Sequence, residues 1–389
     1  MDTDREPLRV AMLGAFPPLR GISGYCHELA AAMAGCCPVE FISFREMYPR
    51  FLYPGGDLAD DPTLPDLRHP QLAVQRRLTW YNPAGWFRAG LSTEADLLHA
   101  QWWSLPLAPV YLSVCAAFKM RKKPVVLTVH NVLPHEGSRG FLAASRLLFS
   151  LGDHFIVHTE QCRQQLKTRY RIPPSRISRI PHGTLDFHAA SGPGEGSIRE
   201  ALGIATDERV VLLFGAIRPY KGVDTALAAF AAVAKTVDRV RLVIAGKLWE
   251  SWDPYDRFIR ELGLTDRVTP VLGYIPAGEV HRFFTAADLV ILPYRRFDSQ
   301  SGIGNTAIAF RKPMIVTDVG GLPELVSDPG CIVPPNRPAA LARAILRCIQ
   351  DPSRLQALSV DADAISKQFT WPVIAKTTYL MYKRLCKKL

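Results

Sequence analysis

The feature that most limits how this chain can fold is one pattern repeated in two series: a short, almost purely apolar run, a loop, then a segment with helical spacing. Arg9–Leu13, Val39–Phe44, Asp96–Ala100, Pro124–Val129, Phe155–His158 and Ile177–His182 make the first series. Val210–Phe214, Val240–Ala245, Val268–Leu272, Leu289–Leu292 and Met314–Thr317 make the second. Runs without polar alternation suit strands covered on both faces, and helices between successive strands make such sheets parallel. Between the series, Ser191–Ser197 reads SGPGEGS, a linker with no side chain able to anchor a core. The expected fold class is α/β, with two Rossmann-like domains at residues 1–190 and 191–370. A Lys- and Arg-rich closing helix, 371–389, is expected to cross back to the first domain.

With 389 residues there is room for two cores. The eight cysteines form no C-x-x-C pair and no grouping with histidine, so reduced thiols in a cytosolic protein are the economical reading. Met1-Asp2-Thr3-Asp4 is no signal peptide, and the longest nearly apolar stretch, Leu105–Phe118, is too short and too interrupted by proline to span a bilayer. The net charge of +11 is unevenly placed: residues 68–179 hold 16 Lys and Arg against 5 Asp and Glu, interleaved with Trp80, Tyr81, Trp86, Phe87, Trp102, Trp103, Phe118, Phe141 and Phe149. Cations among large aromatics suit an anionic membrane surface, and no nucleic-acid motif accompanies them. A solvated basic face over a separate aromatic core is the competing account. Residues 45–95, proline-rich but aromatic, read as an ordered, irregular excursion facing an acceptor.

Loops at the carboxyl ends of parallel strands are where open α/β sheets bind ligands. The loop after the first strand carries Gly21, Ser23 and Gly24 ahead of a helix over Tyr25–Met33. His99, His130 and His182 end strands of the first series, with Trp102, His135 and Glu136 in the loops beside them. In the second series, Gly215–Gly222 places Arg218 and Lys221 after the first strand. Residues 288–324 then form a β-α-β unit whose small-residue turn, Ser301-Gly302-Ile303-Gly304, opens a helix over Asn305–Phe310. Unpaired N–H groups and the dipole of such a helix start favour an anion, which we read as a diphosphate neutralised by Arg218 and Lys221. Gly302-x-Gly304 with Asp318 imitates a dinucleotide fingerprint. That motif follows its strand directly, whereas nine residues, Tyr294–Gly302, intervene here.

Gly215-x-x-Arg218-x-x-Lys221-Gly222, Ser301-Gly302, Lys312-Pro313-Met314-Ile315-Val316 and Gly320-Gly321-Leu322-Pro323-Glu324 together resemble the retaining glycosyltransferases of family 4. Asn82-Pro83, Gln101-Trp102-Trp103, His130–Glu136 and Ile180–Gly183 look like a bacterial subgroup that assembles surface or exported polysaccharide. The resemblance implies the GT-B fold, two Rossmann-like domains facing a central cleft. It implies a nucleoside diphosphate sugar donor on the second domain, a glycan or polyprenyl-linked acceptor on the first, and no metal or other cofactor. Arg218, Lys221 and the Ser301–Gly304 amides match the diphosphate site, and His130 matches a histidine beside the transferred sugar. Acceptor or cleft roles fall to Gly21, Ser23, Gly24, Trp102, His135, Glu136 and His182. The family usually has a Glu, seven residues, then a second Glu; those positions hold Asp298 and Thr306 here. Asp298 keeps a carboxylate for the donor sugar, while Thr306 cannot reproduce one that accepts two ribose hydroxyls. The expected site is thus cytoplasmic, at the inner face of the cell membrane. An epimerase of the same fold and a catalytically silent nucleotide-sugar-binding subunit are the alternatives.

Overall fold

Continuous apolar runs dictate sheets buried on both sides, and both halves of the chain have them. The computed structural model describes residues 7–49, 60–64, 67–132, 139–185 and 195–387. It divides into two units, Met1–Gly183 with Phe369–Leu389, and Thr184–Gln368.

In the first unit the strands are β1 (Val10–Leu13), β2 (Val39–Glu46), β3 (Leu72–Thr79), β4 (Leu97–Trp102), β5 (Val125–Val129), β6 (His154–Val157) and β7 (Ile177–Arg179). They pair in parallel in the order β3-β2-β1-β4-β5-β6-β7. The direction of winding reverses between β1 and β4, so the loops leaving those strands splay apart and open a crevice at their carboxyl ends. Every residue of β1, β4 and β5 is buried. Each such Val, Leu or Ile contributes roughly 1.5–3 kcal/mol by leaving water. The closing helix, Trp371–Cys386, packs on this unit: Ile374, Ala375 and Tyr382 join the cluster built from Val10, Met12, Tyr25 and Leu29.

The second unit holds β8 (Arg209–Phe214), β9 (Val240–Gly246), β10 (Val268–Leu272), β11 (Leu289–Leu292), β12 (Met314–Thr317) and β13 (Ile332–Val333). Their order is β10-β9-β8-β11-β12-β13, again parallel throughout. Here the winding reverses between β8 and β11. The loops following those two strands, Gly215–Gly222 and Pro293–Ser301, are therefore neighbours at one switch point. At the other end of the same strands, Asp288 accepts from Val210 N at 2.8 Å and from Arg199 Nη2 at 2.9 Å.

Four expectations need correction. Residues 45–95 are not an irregular excursion: they include edge strand β3 and the helix Pro83–Ser92, which Asn82 caps by accepting from Gly85 N at 3.0 Å. The helix expected at Asn305 begins at Gly302, because Ser301 supplies its cap. Of the SGPGEGS segment, residues 195–197 belong to the helix Glu195–Ala201, and 191–194 lie outside the described residues. Lastly, Trp86, Trp102, Phe118, Phe141 and Phe149 are core residues of the first unit rather than a surface interleaved with cations. Trp80 and Tyr81 are the exposed members of that set, at 38% and 50%. Among the described residues no helix is long and apolar enough to cross a membrane.

Candidate active site

At the switch point of the second unit, Gly215 follows the end of strand β8, and the chain turns through a short 3-10 segment, Pro219–Lys221, to Gly222. Gly222 has φ +70°, and a Cβ there would lie 2.1 Å from the carbonyl oxygen of Pro293. Only a residue without a side chain lets this loop press against the exit of β11. Gly222→Ala is accordingly expected to lower the thermal midpoint by several degrees and to weaken nucleoside diphosphate binding together with it, since strain of this kind costs about 1–3 kcal/mol. A midpoint equal to that of the unsubstituted protein would refute the close approach.

That approach buries Lys221, which is 5% exposed. Its Nζ donates to Tyr294 Oη at 2.5 Å and lies 4.3 Å from the centre of the Tyr294 ring. Among the described residues no carboxylate pairs with Lys221. Burial lowers the pKa of the ammonium, the neighbouring Arg218 lowers it further, and Tyr220 opposes that. A buried cation with only neutral partners is expensive, and an anion would relieve the cost. Arg218 stands close by, its guanidinium stacked 3.8 Å from the Trp249 ring centre. Aromatic stacking leaves the edge of the guanidinium fork for an anionic ligand.

The helix start faces the same loop. A Cβ placed on Gly215 would come 3.1 Å from the Ile303 side chain and 3.4 Å from Lys221 Nζ, so the three groups converge within the unit. Ser301 Oγ accepts from Gly304 N at 3.3 Å, which satisfies one of the first amides of the helix Gly302–Ala309. The preceding amides have no such cap, and a Cβ on Gly302 would meet nothing within 4 Å. Space is thus open beside Gly302, at a helix start whose leading N–H groups favour an anion. Arg218, Lys221 and Ser301–Gly304 are brought together at this place.

Thr306 and Asp298 are the two other expected donor contacts. Thr306 is buried, and its hydroxyl donates back to the Gly302 carbonyl at 3.0 Å, so it is spent inside the helix instead of reaching a ligand. Asp298 is half-buried in the loop after β11, its backbone nitrogen close to Gly320. Sequence reasoning missed Tyr294, Trp249 and the rings of Tyr220 and Phe297 that flank Tyr294 at 5.6 and 5.3 Å. The available signal was position: Tyr294 comes two residues after a buried parallel strand, at its carboxyl end.

In the first unit, His130 follows β5 and pairs through Nε2 with Gln101 Oε1 at 3.0 Å. His158 and His182 lie near it, and all three surround Tyr25, with ring centres 4.7, 5.4 and 4.8 Å from the phenol ring. Trp371 of the closing helix completes the cluster, 5.3 Å from Tyr25. His99 is enclosed beneath, bonded to Thr128 Oγ1 at 2.6 Å and to Tyr382 Oη at 2.5 Å. Burial depresses every one of these imidazoles: His99 and His182 to about 3, His158 to about 4, and His130 well below its ordinary value, with neighbouring histidines adding to the effect in His99, His130 and His182. Neutral imidazoles at the carboxyl ends of strands are suited to hydrogen-bonding a hydroxyl rather than to holding charge.

Gly21, Ser23 and Gly24 lie on the loop after β1 and at the start of the helix Ser23–Ala34, which begins two residues before the expected position. Trp102, an expected cleft residue, is instead fully enclosed: its indole N–H donates to Ser145 Oγ at 3.2 Å, and its ring stacks on Phe141. Central β4 is covered on both faces, so Trp102 serves the core. His135 and Glu136 lie outside the described residues. Tyr25, His158 and Trp371 were not anticipated.

Two family models match the chain, one described as Glycosyltransferase Family 4 over residues 19–184 and one as Glycosyl transferases group 1 over residues 195–363. The D-inositol 3-phosphate glycosyltransferase of Kineococcus radiotolerans is 26% identical, over 76% of this chain and 69% of the relative. Its counterpart in Segniliparus rotundus is 29% identical, over 61% of this chain and 53% of the relative, so the match spans only about half of that protein. Among solved structures, Anabaena Alr3699/HepE in complex with UDP and glucose superposes with a TM-score of 0.75 at 19% identity, covering 97% of this chain and 100% of that one.

Proposed function

Because the chain belongs to glycosyltransferase family 4 and has the GT-B type of fold, we propose that it moves a sugar from a nucleoside diphosphate donor to a glycan or polyprenyl-linked acceptor in surface or exported polysaccharide assembly. The observation that carries this reading is Lys221, a buried ammonium without a carboxylate partner among the described residues, beside a helix start with open space above it. As the bond from the anomeric carbon to the diphosphate breaks, negative charge grows on the leaving oxygen. Lys221, Arg218 and the amides at Gly302 and Ile303 would meet that charge with groups already fixed in place, which is the largest kind of catalytic contribution. Two cations and a helix start would do here what a divalent ion does elsewhere, so the reading requires no metal. Asp298 would bind donor sugar hydroxyls, and His130, neutral and hydrogen-bonded by Gln101, would contact the transferred sugar. Retention of anomeric configuration belongs to the same proposal.

The acceptor end is proposed to work at an anionic membrane surface. Residues 139–185 hold eight Lys and Arg against two Asp and Glu, and residues 371–387 hold four against none. Arg176, Arg179 and Arg384 line a cavity of about 570 Å³ together with Ile180, Leu380, Met381 and Leu385 and one carboxylate, Asp153. Cations beside apolar side chains support contact with phospholipid headgroups better than the buried aromatics do.

A panel of uridine and guanosine diphosphate sugars, with and without chelator and native lipid extract, tests the proposal through nucleoside diphosphate release. Release that depends on acceptor and ignores chelator is expected. An epimer formed from donor alone would replace transfer with epimerisation, and donor binding without release under any condition would leave a silent binding subunit.

A further inference from the structure

Lys221 and Ser301 make no hydrogen bond to each other; the side chain of Tyr294 stands between them. Its oxygen accepts from the Lys221 ammonium and lies 3.3 Å from Ser301 Oγ, which in turn accepts from Gly304 N at 3.3 Å. An ammonium can only donate, so the phenol oxygen is the acceptor there, while between the phenol and Ser301 either hydroxyl can donate. Ser301 Oγ accepts in addition from the first turn of the helix. A single line of bonds thus runs from the ammonium to the cap of the helix Gly302–Ala309.

The ring that carries the hydroxyl is fixed. Tyr294 is 1% exposed, meets Tyr220 and Phe297 edge to face, and its own carbonyl accepts from Thr317 Oγ1 at 2.7 Å. Burial also raises the phenol's pKa, which keeps it protonated. A neutral phenol has an advantage over a carboxylate in this place: it steadies the ammonium without cancelling its charge, and two of the three ammonium hydrogens stay available. Resting on the donor-site reading above, we infer that Tyr294 is a positioning residue for the diphosphate, holding the Lys221 cation and the Ser301-capped helix amides in one register so that both reach the same leaving group.

Tyr294→Phe keeps the ring and removes the hydroxyl, so it separates this role from packing. Three measurements on the full chain decide it: the titration of the Lys221 ammonium in ligand-free protein, followed by NMR of lysine labelled at Cε; the affinity for UDP and GDP by calorimetry across a pH series; and the thermal midpoint. Among the described residues the groups facing this ammonium are Tyr294, Tyr220 and Arg218, and the substitution removes the one of these that hydrogen-bonds it. The variant is expected to fold, to titrate Lys221 at lower pH than the unsubstituted protein, and to bind the tighter diphosphate about tenfold more weakly, as loss of one bond to a charged group implies. The alkaline fall of binding should move to lower pH in step with the Lys221 titration. A side chain that merely filled space would move neither. Unchanged affinity and an unchanged pH limb overturn the inference while leaving the donor site standing; failure of the unsubstituted protein to bind either diphosphate overturns both. If Tyr294→Phe does not fold, Ser301→Ala breaks the same line from its other end. It must shift the Lys221 titration in the same direction by a smaller amount, and no shift there also overturns the inference.

Discussion

Lys221→Met is expected to abolish sugar transfer and at the same time leave the protein as stable as before, or more stable. The two effects have one origin. An ammonium held at 5% exposure beside a phenol costs folding free energy, because neutral partners recover only part of its lost hydration. Methionine has nearly the same length, no charge and a flexible stem, so it fills the space without the desolvation cost, a replacement that is commonly neutral or stabilising by about 1–4 kcal/mol. Catalysis loses the group aimed at the charge that develops on the leaving diphosphate. One preorganised donor of this kind is worth about 10²–10³ in kcat, and a full cation beside a diphosphate should be at least as costly to remove. Nucleoside diphosphate release and thermal unfolding, measured on the same preparation, check both halves. A variant that keeps its turnover sinks the donor site. A variant that loses turnover only because it loses several degrees of thermal midpoint shows Lys221 to be a structural group after all. Arg218→Met should fall on the same side for activity with less effect on stability, since Arg218 is only half-buried and its guanidinium is stacked on Trp249.

The contrast between Lys221 and Thr306 shows how far this site could be read before its geometry was known. Strands such as Leu289–Leu292 and Met314–Thr317 were legible to the residue, because a strand covered on both faces leaves an almost unbroken apolar run. The loops that follow them could then be located, and with them Arg218, Lys221 and the Ser301–Gly304 turn. Edge strand β3 was hidden, since Gln75, Arg76 and Arg77 break its pattern where the sheet ends and solvent begins. Side-chain direction within the loops was not legible at all. Nothing in sequence tells that the Thr306 hydroxyl turns back on Gly302, that Trp102 faces the core, or that Tyr294 turns inward to meet a lysine 73 positions earlier. Those outcomes depend on which strands are neighbours, and β8 becomes the neighbour of β11 only once the winding reverses.

In the first unit the largest expected effect is on stability in acid. His99, His158 and His182 are held near 3, 4 and 3 by burial, and His130 is lowered as well. In the unfolded chain each titrates near its ordinary value of about 6.5. A base whose pKa falls on folding binds fewer protons in the native state, so its contribution is complete above pH 6.5 and shrinks as pH drops towards the native pKa. Each such histidine costs about 1.4 kcal/mol per pH unit over that window. Three acting independently would remove about 4 kcal/mol between pH 6 and 5, an upper figure because the His130 and His182 rings lie 5.2 and 5.5 Å from that of His158, so that neighbouring rings charge one at a time. Against a domain stability of 5–15 kcal/mol, that predicts a thermal midpoint falling steeply below pH 6 and acid unfolding of this unit near pH 5. His158→Gln should flatten the slope, since it removes the imidazole at the centre of the group while leaving a polar side chain for the Ile180 carbonyl that now pairs with it. Near-ultraviolet circular dichroism during thermal unfolding from pH 7.5 to 4.5 measures the effect. A midpoint that stays level to pH 5 would mean the cluster is hydrated or opens without unfolding, and the proposed sugar contact of His130 would then be made by a group able to take up charge.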